Sequence, residues 1–364
     1  MVQTGKKNRI IFIDLMRAFA VIQMVQGHTV DVLLAPELRT GENLAYSIWL
    51  FMRGMTAPIF MFTAGTTFTY LFRLVQDPFE KNPRVWKGIK RFFLLLFIGY
   101  LLRYPTSSII DFSKVTEYQW KIFFAVDVLH LIGFGIFLVL IFAYISEKTK
   151  LGDFLVFIAG SLIFFLPAAA FEQIDWLNYL PHPVASYFYT GTGSQFPLFP
   201  WAGYVVLGGA LGSYLANNPL VFKSQKFSLM LTLIGTGLMV LSYYGGDIAK
   251  IFDYQLDRSS SSILTIAFRL GFVILLNALV SYISISIKFI PRIIILVGRN
   301  TLLIYVVHLM ILYGSAWNPG LNHVFGKSLY SIPTISIALA MIITMTTMVW
   351  VINKFKVRNK ELVT

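Results

Sequence analysis

Apolar residues in this chain form long, nearly uninterrupted runs separated by short polar connections. A run of about 20 apolar residues is long enough to cross the ~30 Å hydrocarbon core of a bilayer as a single helix. These runs predict an all-α, polytopic membrane protein of about ten transmembrane helices, in one integral-membrane domain over 1–364. The predicted spans are about 10–34, 45–72, 88–104, 120–145, 152–170, 196–216, 227–245, 262–284, 293–313 and 328–353.

Composition agrees with this pattern and excludes several classes of site. The chain is 57% hydrophobic and 13% charged, whereas a soluble globular chain is ~45–50% apolar and ~25% charged. It has no cysteine, which excludes disulfides, thiolate nucleophiles and cysteine-ligated metals. No pair of histidines stands at metal-ligand spacing with a glutamate nearby, so the sequence predicts no metal site.

Positive charge is concentrated in the short connections, which indicates membrane orientation rather than nucleic-acid binding. With the N-terminus in the cytoplasm, about two thirds of the 30 Lys and Arg residues lie in inner segments and about a quarter in outer loops. This asymmetry predicts that both termini are cytoplasmic. We expect the protein in the inner (cytoplasmic) membrane, as a multi-pass protein. The N-terminus carries Lys6, Lys7 and Arg9 but lacks a small-residue cleavage site, so we interpret the first run as an uncleaved span.

The first span, RIIFIDLMRAFAVIQMVQGHTV at 9–30, contains three ionisable side chains. Asp14, Arg17 and His28 share one helical face, because the step from Arg17 to His28 makes about three turns. A charge at mid-bilayer costs ~2.5–3.5 kcal/mol on insertion scales, so this polar stripe is expected to face the bundle interior and to mark function. The alternative is structural: Asp14 and Arg17 form an ion pair that orients the helix, and His28 is interfacial.

The fourth span carries a candidate pair in the stretch VDVLHLIGFG. Asp127 and His130 are three residues apart, so on a helix the carboxylate can hold the imidazole. The sequence supports a buried structural pair and a functional pair about equally. Arg53, within the second span, is a further intramembrane candidate.

The ninth span, GRNTLLIYVVH at 298–308, repeats the pattern of the first. Thr301, Tyr305 and His308 recur at helical spacing and line one face. Arg299 and Asn300 lie toward the cytoplasmic end of the same span. The span therefore combines a basic inner end with a polar stripe that rises toward the outside.

The most basic stretch of the chain is RLVQDPFEKNPRVWKGIKR at 73–91. Positive-inside orientation is sufficient to explain it. The functional alternative is a cytoplasmic anchor for an anionic, phosphate-bearing ligand, because Lys and Arg side chains bind phosphate groups strongly. The anchoring candidates are Arg84, Lys87, Lys90 and Arg91.

The first span resembles that of the transmembrane acyltransferases, a group that includes the heparan-alpha-glucosaminide N-acetyltransferase catalytic domain, its bacterial relatives and the acyltransferase-3 enzymes. The family pattern reads roughly I-D-x-x-R-G-x-A-x-x-x-M-x-x-x-H, and this chain has Ala18 where glycine is usual. Four further segments are similar to family motifs, in order along nearly the whole chain. They are APIFMFTAGTTF at 57–68, DVLHLIGFG at 127–135, FPLFPWAGYVVLGGALG at 196–212 and VGRNTLLIYVVH at 297–308.

One departure from the family concerns its animal lysosomal enzyme. That enzyme has Asn at the position of His28, and its catalytic histidine lies in the loop after the first span. The corresponding loop of this chain, VLLAPELRTGENLAYS, contains no histidine. The spacing of Arg17 and His28 instead matches the acyltransferase-3 arrangement. Acetylation of a sugar amine is therefore not carried over from the lysosomal enzyme.

The resemblance implies an enzyme that takes an acyl group, acetyl in the simplest case, from cytoplasmic acyl-CoA and delivers it to a sugar hydroxyl or amine at the outer face. It implies His28 as the general base, and acyl-CoA as a co-substrate without any permanently bound cofactor. The other implied site residues are Asp14 and Arg17 as an inner gate or phosphate contact, Asn300, Tyr305 and His308 as oxyanion donors, and Arg84, Lys87, Lys90, Arg91 and Arg299 as contacts to CoA.

Two other functions fit the same polar spans. A transporter or flippase of a polar solute or lipid-linked sugar would also place charges inside the bundle, although no inverted repeat is found. A non-catalytic accessory protein is the third alternative. The acceptor is left open between a cell-wall glycan, a lipid-linked sugar and a small sugar. O- or N-transfer, an acyl-enzyme intermediate and the oligomeric state, a homodimer included, are also open.

Overall fold

The computed structural model describes residues 11–218, 220–251, 259–287 and 289–361. Two compact units are distinguished within these ranges. The first contains the start of the first helix with Met61–Leu101 and Ser113–Ser286. The second contains Asp14–Phe60, Leu102–Phe112 and the part of the chain from Ile287 onward. The basic N-terminal residues Lys6, Lys7 and Arg9 lie outside the described residues.

Nearly all of the regular structure in the described ranges is α-helical, with one short hairpin. The helices are α1 (Ile11–Leu33), α2 (Leu44–Arg73), α3 (Pro83–Leu102), α4 (Glu117–Phe124), α5 (Val128–Thr149), α6 (Asp153–Phe165), α7 (Ala168–Gln173), α8 (His182–Ala185), α9 (Leu198–Asn217), α10 (Gln225–Ile251), α11 (Ile263–Ser286), α12 (Arg292–Arg299), α13 (Thr301–Leu312), α14 (Leu321–Phe325) and α15 (Ser331–Glu361). The hairpin consists of the antiparallel strands β1 (Gly314–Ser315) and β2 (Asn318–Pro319).

Each predicted span overlaps a helix or a pair of helices, which confirms the all-α, multi-pass membrane class. Six helical segments of the described residues are long and apolar enough to cross a bilayer, or seven if the bent pair α12–α13 counts as one span. They are Glu117–Thr149, Asp153–Gln173, Leu198–Asn217, Gln225–Ile251, Ile263–Ser286 and Ser331–Lys356. The count of ten spans and the cytoplasmic position of both termini stay predictions.

Three predicted spans are divided into two helices where the sequence indicated continuous ones: the fourth, the fifth (between α6 and α7) and the ninth. The ninth bends by 75° between α12 and α13, because the side-chain amide of Asn300 donates to the Leu296 carbonyl at 2.8 Å and ends α12. The fourth is interrupted before α5, where Asp127 is the N-cap rather than an interior residue: its Oδ1 accepts from the Leu129 amide at 2.8 Å. A side chain that takes up free backbone groups competes with helix continuation.

In the first unit, α10 packs along α11, and α5, α6 and α9 pack against one another. The α10–α11 contact is close enough to exclude side chains at its centre. A Cβ on Gly235 would lie 2.8 Å from the Gly271 carbonyl oxygen, and one on Gly271 would lie 2.7 Å from the Gly235 oxygen. Small residues allow such close approach, and the van der Waals packing that results helps to hold helices together in lipid.

In the second unit, α15 packs against α12 and α13 through one stripe of its surface. The buried members of the stripe are Thr334, Ala338, Met341, Met345 and Val349. They recur every three or four residues, as expected for a helix with one face on its neighbours. Ile335, Leu339 and Ile343 on the other faces are exposed apolar side chains. That pattern suits a helix with its outer surface in lipid.

The backbones of α1 and α12 also come into direct contact in the second unit. A Cβ on Gly298 would overlap the carbonyl oxygen of Asp14 and would lie 3.2 Å from the Ala18 amide nitrogen. Glycine is therefore required at this position. The contact brings the polar face of α1 against the segment that carries Arg299 and Asn300.

Candidate functional site

Helices α1 and α13 of the second unit bring two histidines together. His28 Nδ1 lies 3.0 Å from His308 Nε2, and the two rings are nearly parallel, with centroids 5.2 Å apart and an interplanar angle of 14°. His308 is fully buried, whereas His28 is half-buried. Both were predicted as site residues, and helical spacing alone placed each on the polar face of its own helix.

A backbone carbonyl fixes the tautomer of this pair. His308 Nδ1 lies 2.8 Å from the carbonyl oxygen of Ile304, and a carbonyl can only accept, so Nδ1 carries the proton. A neutral His308 then presents the lone pair of Nε2 to His28, which must donate from Nδ1. The basic nitrogen of a neutral His28 is consequently Nε2.

Two tyrosines complete the surroundings of the imidazoles. The Tyr313 ring meets His28 edge-on, with centroids 6.1 Å apart, and the Tyr305 ring meets His308 in the same way at 5.6 Å. Tyr305 was predicted from the polar stripe of its span. Tyr313 follows α13 directly and was missed, because an aromatic residue at a span end is ordinarily assigned to the interfacial belt.

Nearer to the N-terminus of α1, a second polar group connects α1 to the start of α13. An Arg17 guanidinium nitrogen donates to the Thr301 hydroxyl at 3.0 Å. Arg299 Nε lies 3.6 Å from an Asp14 carboxylate oxygen, with the carboxylate largely buried. Arg299 is therefore a partner of Asp14 that the sequence did not indicate. The pairing of Asp14 with Arg17 stays a prediction.

A small apolar cleft lies in the second unit beside these polar groups, and its enclosed space is about 10 Å³, close to that of one water molecule. Its α1 residues, Val21, Ile22 and Val25, lie between Arg17 and His28 in the sequence. The remaining lining residues are Val297, Ile304, Ile342, Met345 and Thr346. Ile304 thus contributes its side chain to the cleft and its carbonyl to His308. The cleft follows α1 from the level of Arg17 toward that of His28.

An acidic side chain one turn beyond His28 binds two arginines. Asp31 accepts from Arg53 at 2.9 Å and from Arg39 at 3.3 Å. Arg39 also donates to the carbonyl oxygens of Asp31 and Leu34, at 2.8 and 2.7 Å. Asp31 and Arg39 were missed as site residues, although the three-residue step from His28 to Asp31 is a signal that places them on one face.

The predicted pair of Asp127 and His130 forms in the first unit. Asp127 Oδ1 lies 3.1 Å from His130 Nδ1, and the two residues make a capping box at the start of α5. The His130 ring is fully buried and meets the Tyr100 ring at 4.3 Å. Among the described residues its Nε2 has no hydrogen-bond partner. The position of Asp127 is therefore explained by its role as the N-cap of α5.

A tyrosine pair adjoins His130 in the same unit. The hydroxyls of Tyr100 and Tyr187 are 3.1 Å apart. Burial, followed by the hydrogen bond with Tyr100, raises the pKa of Tyr187 above its usual range. Tyr187 therefore remains a neutral phenol and serves as a hydrogen-bond partner rather than a base.

The predicted basic anchor also belongs to the first unit, on the N-terminal half of α3. Lys87, Lys90 and Arg91 are exposed and Arg84 is half-buried, and Lys90 lies 5.5 Å above the Trp86 ring.

The predicted site residues are divided between the two units. The second unit contains Asp14, Arg17, His28, Arg53, Arg299, Asn300, Tyr305 and His308. The first unit contains Asp127, His130 and the four α3 cations. In the ranges that are described, no group of three or more His, Asp or Glu side chains is placed to hold a metal ion.

Comparison with known proteins identifies the family. The sequence model of heparan-alpha-glucosaminide N-acetyltransferase, catalytic, matches residues 9–245. The chain belongs to this family. No curated protein matches the chain. The matched part contains Asp14, Arg17 and His28, whereas Arg299 and His308 lie beyond its end.

Proposed function

We propose that this protein is a membrane-embedded acyltransferase that moves an acyl group, acetyl in the simplest case, from cytoplasmic acyl-CoA to a sugar hydroxyl or amine at the outer face. Its family supports acetyl transfer as the reaction class. The observation that carries the proposal is the hydrogen bond of 3.0 Å between His28 and His308. An imidazole held in one tautomer by a second, buried imidazole is suited to general-base chemistry.

In the proposed reaction, His28 Nε2 removes the proton from the acceptor as its oxygen or nitrogen attacks the thioester carbonyl carbon. The imidazolium that results keeps its Nδ1–H directed at His308 Nε2, 3.0 Å away. The tetrahedral intermediate then collapses, the C–S bond breaks, and the CoA thiolate takes the proton from His28. Positioned general-base catalysis of this kind contributes ~10²–10⁴-fold.

The geometry changes the role expected for His308. Both of its nitrogens are engaged, Nδ1 with Ile304 and Nε2 with His28, so we assign it to positioning His28 rather than to oxyanion binding. The side-chain amide of Asn300 is partly used at the helix break. Tyr305, packed against His308, is therefore the oxyanion donor in this proposal.

The donor is proposed to enter at the Arg17 end of the cleft. Arg17 and Arg299 supply positive charge there, which suits the phosphates of CoA. In the proposal, the thioester arm follows the apolar surface of Val21 and Val25, and the cleft beside them widens to admit it, because its enclosed space is only about 10 Å³. A contribution of Arg84, Lys87, Lys90 and Arg91 to CoA binding stays a prediction.

The test is acetyl transfer by the purified protein in lipid nanodiscs, with radiolabelled acetyl-CoA and methyl glucosaminide as the acceptor. His28→Ala is expected to reduce transfer by ~10²–10⁴-fold. His323→Ala is the matched control, because His323 is an exposed histidine of the same unit. Undiminished transfer by His28→Ala at equal protein level would refute the base assignment. A wild type that, in sealed proteoliposomes, moves sugar across the bilayer without consuming acetyl-CoA would instead support the transporter alternative.

A further inference from the structure

The loop after α3 and the β1–β2 hairpin meet in the second unit through two aromatic rings. The Trp317 indole stacks on the Tyr104 ring, with centroids 5.7 Å apart and an interplanar angle of 13°. The indole Nε1–H donates to the Ser107 carbonyl at 3.1 Å. Trp317 nevertheless remains 51% exposed. One face of a large aromatic ring is thus supported, and much of the rest is open.

The hairpin that carries Trp317 is held by hydrogen bonds within itself and to α13. Ser315 and Asn318 face each other across the two strands, and the Ser315 hydroxyl accepts from the Trp317 amide at 3.2 Å. The Asn318 side chain donates to the Met310 carbonyl at 3.1 Å. Met310 lies in the last turn of α13, two residues after His308. The indole is therefore fixed to the end of the helix that carries the buried histidine.

The start of the hairpin is also connected to His28. The Tyr313 ring packs edge-on against His28, and Tyr313 directly precedes Gly314, the first residue of β1. Trp317 and the Tyr104 ring stacked on it are therefore tied to a hairpin that begins next to the surroundings of His28.

We propose that Tyr104 and Trp317 form an acceptor platform, on which the apolar face of a pyranose ring stacks while its reactive group is directed at His28. A sugar presents a face of C–H groups and an edge of hydroxyls, so a flat, fixed aromatic ring binds it without desolvating the hydroxyls. This inference rests on the proposed function, since it takes its sugar acceptor from there. It adds the site that recognises the acceptor.

The competing role for an exposed tryptophan in a membrane protein is anchoring at the lipid headgroups. Such a residue directs its N–H to water or headgroups, because that hydrogen bond stabilises it at the interface. The Trp317 N–H instead donates to the Ser107 backbone, and Tyr104 covers one face. The ring is thereby oriented by protein on two sides, as a ligand platform requires.

The test is direct binding of methyl glucosaminide to the protein in lipid nanodiscs, measured by saturation-transfer difference NMR with CoA present. Trp317→Ala is expected to weaken binding about tenfold or more, and Trp317→Phe to retain most of it, because phenylalanine keeps a flat ring. Tyr104→Ala is expected to weaken binding less. Trp350→Ala is the matched control, since Trp350 is exposed to a similar extent on α15.

Binding is measured without turnover, so its outcome is separate from that of the acyl-transfer assay. Sugar binding that depends on Trp317 would support the platform even if no acetyl group were transferred. Equal affinity in wild type and Trp317→Ala, or no binding by the wild type, would overturn it. A lower yield of Trp317→Ala with unchanged affinity in the remaining protein would assign the ring to membrane anchoring, and would also overturn the platform.

Discussion

His28 Nδ1 donates a hydrogen bond to His308 Nε2, and the two nitrogens are 3.0 Å apart. The direction is imposed from outside the pair, because the Ile304 carbonyl lies 2.8 Å from His308 Nδ1 and must accept its proton. Helix α13 thus supplies both the buried imidazole and, one turn earlier, the backbone group that orients it. The more exposed partner, His28, is left with Nε2 as its basic atom.

Removing His308, whose Nε2 accepts the hydrogen bond from His28, is expected to slow acetyl transfer. A hydrogen bond to a charged group is worth about 1.5–3 kcal/mol, which corresponds to roughly 10–150-fold in rate for His308→Ala. His308→Gln is expected to lose less, because its amide oxygen can still accept from His28. The measurement is kcat for acetyl-CoA consumption by each variant in nanodiscs.

The double variant tests whether the two histidines act as one unit. If they do, His28→Ala with His308→Ala loses no more activity than His28→Ala alone. Fully multiplicative losses would show that His308 acts independently of His28, against the positioning role assigned here.

The sequence was sufficient to predict the residues that share helical faces. Asp14, Arg17 and His28 recur on one face of α1, and α13 carries His308, because helical spacing is regular and charges in apolar runs are conspicuous. It was also sufficient to predict the pairing of Asp127 with His130. Each of these predictions depends on local geometry alone.

What the sequence could not predict depends on helix ends and on contacts between distant segments. The polar residues Arg299, Asn300 and Thr301 were assigned to one continuous span, so the 75° bend at Asn300 was not predicted. Asp31, Tyr313 and Trp317 acquire their partners at helix ends and in loops, where no periodicity applies. His308 was expected to donate a hydrogen bond to the oxyanion, but in the structure its Nε2 accepts from His28. This tautomer depends on the Ile304 carbonyl, and a contact of that kind could not be assigned from the sequence.

The contact between α1 and α12 is expected to tolerate no side chain at Gly298. A methyl group there overlaps the Asp14 carbonyl, and forced overpacking costs about 1–3 kcal/mol. Gly298→Ala is therefore expected to lower the thermal stability of the detergent-solubilised protein and its activity together. Gly54→Ala is the control, because a Cβ on Gly54 of α2 meets nothing within 4 Å. Equal melting temperatures for the two variants would contradict the close packing.

The pair of arginines on Asp31 is expected to stabilise the His28 end of the second unit. Asp31→Ala leaves Arg39 and Arg53 without their shared carboxylate, and hydrogen bonds between charged groups that are partly buried are worth about 1.5–3 kcal/mol. The control is Asp247→Ala, since the ion pair of Asp247 with Lys250 is exposed and such pairs contribute about 0–1 kcal/mol. Thermal unfolding in detergent measures both. Similar shifts for the two variants would show that the Asp31 cluster contributes no more than a surface pair.

The pair of Asp127 and His130 can be assigned to structure or to chemistry by one conservative change. Asp127 Oδ1 accepts from the Leu129 amide at 2.8 Å, and loss of such a cap costs about 0.5–2 kcal/mol. We therefore expect Asp127→Ala to lower thermal stability, whereas Asp127→Asn keeps an accepting oxygen and should match the wild type in both stability and acetyl transfer. Melting in detergent and transfer in nanodiscs are measured on the same preparations. An Asp127→Asn variant that is stable but inactive would show that His130 requires the negative charge, and would move this pair from helix capping into the reaction.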